Sequence, residues 1–337
     1  MGPIETTNLR KIATSLGLSV TTVSRALKDG PEVHPQTIAR VKARAAEAGY
    51  APNLHGRALR TGRTRMIVVI LPLETRAYLA DIAKVPLIEG MTLAAQERGY
   101  TLSIYSTTPD EDRLQSLNRL IQSGNCDGVI VTRMTAGDAR IAFMRQHNVP
   151  FVAFGRSDVA IDYAYVDIDN EGMAREATRR LIAEGHRRIA LQLLSRDDQS
   201  SAMRLRGYFS SLADADLTQD PSLVGYDDFT MAASEKFFER MLDLPMPPTG
   251  LICANELGLL GAISALRKRN LLPGRDVGLV SRDSTGMCKY LALPVLTHFV
   301  DMSEVGRLLV DALLRQINDP GAERSHIVLK GQFERYD

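Results

Sequence analysis

The 337-residue chain has no tryptophan, only three cysteines, 6% aromatic residues and a formal net charge of +1. Cys126, Cys253 and Cys288 are odd in number, widely spaced and without a C-x-x-C pair. That argues against both a disulfide framework and a zinc site and in favour of a reducing cytoplasm. Apolar runs such as Met66 to Leu73 and Val149 to Phe154 fall well short of the ~20 residues a membrane helix needs. The opening MGPIETTNLRK lacks the apolar core of a secretion signal. Also missing are the phosphate-cradling G-x-x-x-x-G-K-[ST], the dinucleotide G-x-G-x-x-G after a strand, the nucleophile elbow G-x-S-x-G and the zinc-protease H-E-x-x-H. The six histidines stand apart from one another, and no nucleophile has a base in view. The sequence therefore offers no catalytic residue, no metal site and no cofactor site.

What is present is a charge asymmetry. Residues 1–65 carry eleven Lys/Arg against four Asp/Glu, and the remainder is mildly acidic. A small basic head on an acidic body points to nucleic-acid contact confined to the head. Within it, LRKIATSL and VTTVSRALK read as two short helices, with Asn8 and Ser19 as N-caps and Gly17 at the turn. Leu9, Ile12, Ala13 and Leu16 share one face, and Val23 and Leu27 point inward from the second helix. Small Ala13 at the crossing is what a helix-turn-helix requires. A third helix starts at Pro35 and ends just before Gly49, with Ile38, Val41, Ala45 and Ala48 as its stripe, and His34 ahead of it is expected to face solvent. The linker YAPNLHGRALRTG holds two marginal helical turns, Leu54 to Thr61, that need a partner surface to order.

Beyond Arg65, strands and helices alternate. MIVVIL, TLSIYS, DGVIV, FVAF, YAYVDI, RIALQLL, TGLICA and DVGLV read as strands with helical stretches between most of them. Apolar strands joined by helices imply parallel sheets covered on both faces, and ~270 residues of this exceed one core. The expected organisation is an all-α head at 1–52, a hinge at 53–64 and an α/β body at 65–337. The body divides into two lobes around a cleft, the first about 65–160 plus 300–322 and the second about 161–299 plus 323–337. Asp167, Asp169 and the run Asp110, Glu111, Asp112 are expected as helix-capping acids.

If VTTVSRALK is a recognition helix, Val20, Thr21, Ser24 and Arg25 reach base edges in the major groove. Arg25 can grip guanine with its fork, and Val20 and the Thr21 methyl can meet thymine. Asn8, Ser19, Thr22 and neighbouring basic residues then hold phosphates. At this point the residues show a likeness to a known family. LRKIATSLGLSVTTVSRALKDG with the downstream GYAPN and the NLHGRALRTGRT linker resembles the lactose-repressor (LacI/GalR) family of bacterial transcription factors. VDIDNEGMAREATRRLIAEGHRRIAL, MRLRGY and CANELGLLGAI extend the likeness along essentially the whole chain.

The resemblance implies a two-lobed body like a periplasmic sugar-binding protein, a homodimer on a near-palindromic double-stranded operator, and a small-molecule effector. It places Leu59 as the hinge wedge in the minor groove, with Arg57 beside it on the DNA. It places Arg204, Asn255 and Asp283 at the effector and Phe229 against a sugar face, while Thr132, Arg133 and Arg156 follow first-lobe strands and close the other side. The implied function is a sugar-responsive repressor, α-glucosides being favoured over purines, with inducer and corepressor schemes both open. Three departures from the family pattern stand out, one being the small, mostly apolar base-reading pair Val20–Thr21, so no operator sequence is borrowed from better-known members. Ser281–Arg282–Asp283 replaces Gly-[Phe/Tyr]-Asp, and Asn255–Glu256 replaces Asn-Asp. No leucine heptads precede Asp337, which favours a dimer over a tetramer. A stand-alone sugar-binding protein and a sugar-modifying enzyme with a DNA-binding head are the alternatives, disfavoured by the basic head and by the missing catalytic motifs.

Overall fold

The computed structural model describes residues 8–50, 62–73, 81–108, 110–228 and 230–337. Two compact units divide between Thr64 and Arg65. Residues 51–61, which include Arg57 and Leu59 of the hinge, lie outside the described residues, as does Phe229.

The first unit holds α1 (Leu9–Leu16), α2 (Val20–Ala26) and α3 (Pro35–Glu47). Asn8 Oδ1 accepts the Lys11 amide at 2.9 Å and Ser19 Oγ the Thr22 amide at 3.0 Å, so each helix opens on the side chain its sequence supplies. Gly17 takes φ of 67° at the turn, a left-handed conformation that favours glycine. Exposed His34 caps α3 weakly, its Nδ1 accepting the Gln36 amide at 3.3 Å, with Pro35 at the first helical position. α2 stops at Ala26, two residues before the expected Lys28, because the Lys28 and Gly30 amides both turn back to the Arg25 carbonyl. Ile12, Ala13, Val23, Ala26, Val41 and Ala45 form the core of this unit.

The second unit contains two six-stranded sheets. The first uses β1 (Met66–Pro72), β2 (Thr101–Thr107), β3 (Gly128–Val131), β4 (Phe151–Phe154), β5 (Tyr165–Ile168) and β11 (His326–Leu329), in the order β11-β5-β4-β3-β1-β2 and wholly parallel. The second uses β6 (Ile189–Leu193), β7 (Val224–Tyr226), β8 (Gly250–Cys253), β9 (Gly278–Asp283), β10 (Val295–Phe299) and β12 (Gln332–Tyr336), in the order β12-β10-β9-β8-β6-β7. Only β12 runs antiparallel, against β10. Helices α4 (Lys84–Glu97), α5 (Arg113–Gln122), α6 (Ala139–Gln146) and α11 (Met302–Asn318) belong to the first lobe, and α7 (Asn170–Ala183), α8 (Gln199–Asp214), α9 (Met231–Leu242) and α10 (Glu256–Lys268) to the second. Where α4 meets α11, a Cβ on Gly90 would sit 2.0 Å from the Ser303 carbonyl oxygen, so the helices approach more closely than any side chain allows.

The chain crosses between lobes three times, after β5, after β10 and between β11 and β12. This corrects the expected boundaries at 160/161 and 322/323, since β5 and β11 pair with each other in the first sheet. The sequence pattern also missed β7 and β10. β7 is three residues long, with Gly225 at its centre because the Phe237 ring occupies the space of a Cβ. In β10, buried Thr297 and His298 interrupt the apolar run.

Candidate functional site

In the head, the outward surface of α2 presents Val20, 42% exposed, with Thr21 and Arg25 also exposed and Thr22 and Ser24 half-buried. This follows from the inward commitment of Val23 and Ala26, both fully buried. Arg25 Nε lies 3.2 Å from Glu32 Oε1 across an exposed pair, a contact of small worth that a stronger acceptor displaces. Ser19 Oγ and Thr22 Oγ1 share a hydrogen bond of 2.8 Å, and Asn8 Oδ1 serves as the cap of α1.

In the body, a cavity of about 120 Å³ opens in the cleft between the lobes. Its walls come from the carboxyl ends of strands in both sheets, where open α/β sheets bind ligands. Thr132, Arg133, Arg156 and Arg204 all line it, as the sequence leads one to expect. Arg204 is buried on α8. Its Nε donates to Asn170 Oδ1 at 3.0 Å and its Nη1 to the Ala254 carbonyl at 3.3 Å. Among the described residues it has no carboxylate in ion-pair contact. Burial, reinforced by the Arg282 charge, pulls its pKa down to about 10.

Arg156 Nε donates to Asp167 Oδ2 at 2.7 Å. Asp167, expected as a helix cap, is therefore an ion-pair partner in the cleft wall, and only Asp169 caps α7. Burial lifts the Asp167 carboxyl above its ordinary pKa, with Arg156 pulling the other way. Arg133 adopts φ of 58°. Its carbonyl is held in that conformation by Arg140 Nη2 at 2.9 Å and Arg113 Nη1 at 3.3 Å. Its own Nε stands 4.0 Å from Asp198 Oδ1. Thr132 gives its hydroxyl to the Ile70 carbonyl at 2.9 Å.

Asp283 and Asn255 behave differently from expectation. Both are buried and neither lines the cleft. The Asp283 carboxylate takes the backbone amides of Thr285, Gly286 and Cys288 at 3.2, 2.8 and 3.1 Å, and so shapes the loop after β9. Asn255 Oδ1 caps α10 through the Gly258 amide at 2.9 Å. The residue at the cleft from this segment is instead Arg282, whose Nη2 reaches Asp81 Oδ1 at 2.7 Å. Sequence reasoning noted Arg282 only as a departure and passed over Asp81 and Asn170. The departure itself was the signal, since a charge placed at an aromatic position on a buried strand needs a partner. Among the described residues no group of three or more His, Cys, Asp or Glu is placed to hold a metal ion, and no helix is long and apolar enough to cross a membrane.

Comparisons with known proteins agree with this geometry. Residues 8–53 match the model for bacterial regulatory proteins of the lacI family, and residues 159–335 match a periplasmic binding protein-like domain. The chain is 36% identical over 277 residues to the HTH-type transcriptional regulator AglR of Rhizobium meliloti (strain 1021), covering 82% of this chain and 77% of AglR. It is 32% identical over 324 residues to the HTH-type transcriptional regulator RafR of Escherichia coli, covering 95% of each. The structure of the transcriptional regulator CelR–cellobiose complex superposes with a TM-score of 0.73 at 26% identity, covering 98% of this chain and 99% of CelR.

Proposed function

The chain belongs to the lacI family of bacterial regulatory proteins, and from that membership we propose that it binds a near-palindromic operator as a homodimer under the control of a neutral sugar held in its cleft. It is a transcriptional regulator, and we read it as a repressor acting in the cytoplasm. Val20, Thr21, Ser24 and Arg25 read bases, while Asn8, Ser19, Thr22 and the surrounding basic residues fix the head on phosphates. Leu59 and Arg57 complete the DNA contact from the hinge. In the body, Arg204 is the principal effector contact, with Arg156, Arg133 and Thr132 opposite it. Asn255 and Asp283 hold the backbone behind the site, and Phe229 is assigned the face of the sugar ring.

The observation that carries this reading is Arg204. A guanidinium buried against two neutral acceptors keeps donors for a third, and a ligand rich in hydroxyl groups supplies acceptors without adding charge. The AglR and RafR relatives and the cellobiose-bound CelR structure support a sugar as the ligand class. Three exposed apolar side chains support self-association: Val85 and Leu93 on α4, 61% and 52% exposed, and Ile104 on the edge strand β2, 48% exposed.

The test is Arg204→Ala. The folded variant should bind operator as the parent does and lose its response to the sugar, because the allosteric signal is no larger than the effector's differential affinity for the two states. Under an inducer scheme it represses permanently; under a corepressor scheme it is permanently released. A folded variant that still responds at parental sugar concentrations removes Arg204 from the site.

A further inference from the structure

Two of the departures from the family pattern, at Arg282 and Glu256, meet at one place in the fold. Arg282 is the penultimate residue of β9, and Glu256 opens α10 just after the adjoining strand β8. Each lies within electrostatic reach of the other, and Asp81 acts on both. Arg282 is 11% exposed and extends out of its own lobe to Asp81, which stands just ahead of α4 in the first lobe. Asp81 Oδ1 takes Arg282 Nη2 at 2.7 Å and the Ala83 amide at 3.3 Å.

That reach leaves Arg282 Nε and Glu256 Oε2 buried with no hydrogen-bond partner among the described residues. Glu256 Oε1 is occupied by the Ser284 amide. A buried donor and a buried acceptor, both on charged groups, are left unused so that one guanidinium can bridge the cleft, and such groups are costly unless something rewards the arrangement. On another part of the rim the lobes also meet through backbone, beside the Arg133–Asp198 side-chain contact. The Gln199 amide donates to the Met134 carbonyl at 3.0 Å, and Thr135 forms an isolated bridge with Asp198. The Asp81–Arg282 pair is thus a side-chain clasp set beside a backbone contact.

We propose that Arg282, reaching from its own lobe to Asp81 of the other, is a specificity-determining residue that couples closure of the cleft to a neutral, polyhydroxylated ligand. This rests on the reading of the cleft as a sugar site and names how the site selects. A hydroxyl group donates and accepts at once, so it can give its proton to the Asp81 carboxylate and take a hydrogen bond from the Arg282 guanidinium while the clasp stays shut. An anionic ligand competes with Asp81 for Arg282 and strips the carboxylate of its cation, which opens the clasp. An aromatic ring at this position offers a flat apolar face. Arginine gives a donor fork instead, so this end of the cleft favours the hydroxylated edge of a sugar over its C–H face.

The experiment uses the full chain in two arms. In the ligand-free arm, hydrogen exchange of the Gln199 amide is followed in the parent, Asp81→Asn, Arg282→Met and the double variant. Each single variant should speed exchange by about tenfold, and the double by no more than a single, because both remove the same clasp. In the ligand arm, sucrose, trehalose, maltose, cellobiose and glucose 6-phosphate are titrated calorimetrically. The neutral sugar that binds the parent should bind Arg282→Met about tenfold or more weakly, and glucose 6-phosphate should bind the parent less well than that sugar. Unchanged Gln199 exchange overturns the clasp. Equal sugar affinity in parent and Arg282→Met, or preferred binding of glucose 6-phosphate, overturns the selectivity. If none of the neutral sugars binds the parent, the sugar reading of the cleft falls, while the exchange arm still decides the clasp. Should Arg282→Met not fold, Asp81→Asn, at a partly exposed position, carries both arms.

Discussion

The head presents the side chains proposed to read bases from one seven-residue helix, Val20–Ala26, whereas the cleft in the body brings together side chains as far apart in sequence as Asp81 and Arg282, separated by 201 positions. The two regions also treat polar groups in opposite ways. Arg25 is exposed and loosely paired with Glu32, and is therefore available to a partner arriving through water. Arg204 is buried against neutral acceptors, and Arg282 against a carboxylate of the other lobe. Reading DNA calls for exposed groups that cost the fold little. Enclosing a small ligand calls for desolvated groups that the fold must support, so substitutions in the body should cost more stability than those in the head.

The sharpest test of that contrast is Asp138, at the start of α6. Its carboxylate receives Arg140 Nε at 2.9 Å and Nη2 at 2.7 Å, and each side chain is 3% exposed. Asp138→Ala leaves a buried guanidinium unpaired and should destabilise the body by about 3–5 kcal/mol. In denaturation followed by probes in each unit, the head should unfold as in the parent. The same pair gives a pH dependence. Burial alone would raise the Asp138 carboxyl, but hydrogen bonds from Arg140 and its charge outweigh that and hold it below its ordinary 3.8. Its contribution is then full above the unfolded value and fades as pH falls through the folded one. Unfolding of the parent measured from pH 6 down to pH 2 should lose this contribution, and Asp138→Asn should lack that part of the acid dependence.

A smaller effect, of about 1–3 kcal/mol, is expected for Arg25→Ala on operator DNA, with much less on random duplex. Equal losses on both would reduce Arg25 to a backbone contact and erase the reading role of α2. Head stability should barely change, since the pair with Glu32 is exposed. Smallest is Ser19→Ala, which removes the cap on the Thr22 amide and should cost the head about 1 kcal/mol. The body's melting should be untouched. A shift there would show that the two units do not unfold independently.

The same contrast explains what could be read in advance. Caps at Asn8 and Ser19, the turn at Gly17 and the inward set of Ile12, Ala13, Val23 and Val41 are decided within a few residues, and the head followed from them. Thr132, Arg133, Arg156 and Arg204 were placed at the cleft because they follow strands or sit in a family motif. Asp81 has no such mark, being a carboxylate in a loop whose importance depends on an arginine in the other lobe. Asp167 looked like a cap because it sits near a helix start, but Arg156, eleven residues earlier on the adjoining strand's end, claims it. The position of β11 was invisible locally, since pairing with β5 spans more than 150 residues and adjacent β12 joins the opposite sheet.

The three crossings between lobes bear on how such a gene can change. Each lobe is assembled from separated stretches of chain, so no single continuous segment encodes either one. A recombination breakpoint inside residues 169–300 would join part of one parent's second lobe to another's, splitting a sheet whose neighbours must match in register. The junction at Thr64 and Arg65 is different, because one cut there separates two complete units. Inheritance by exchange is thereby channelled: a lineage can acquire a new DNA-reading head in one event, whereas the cleft must change residue by residue within an intact body.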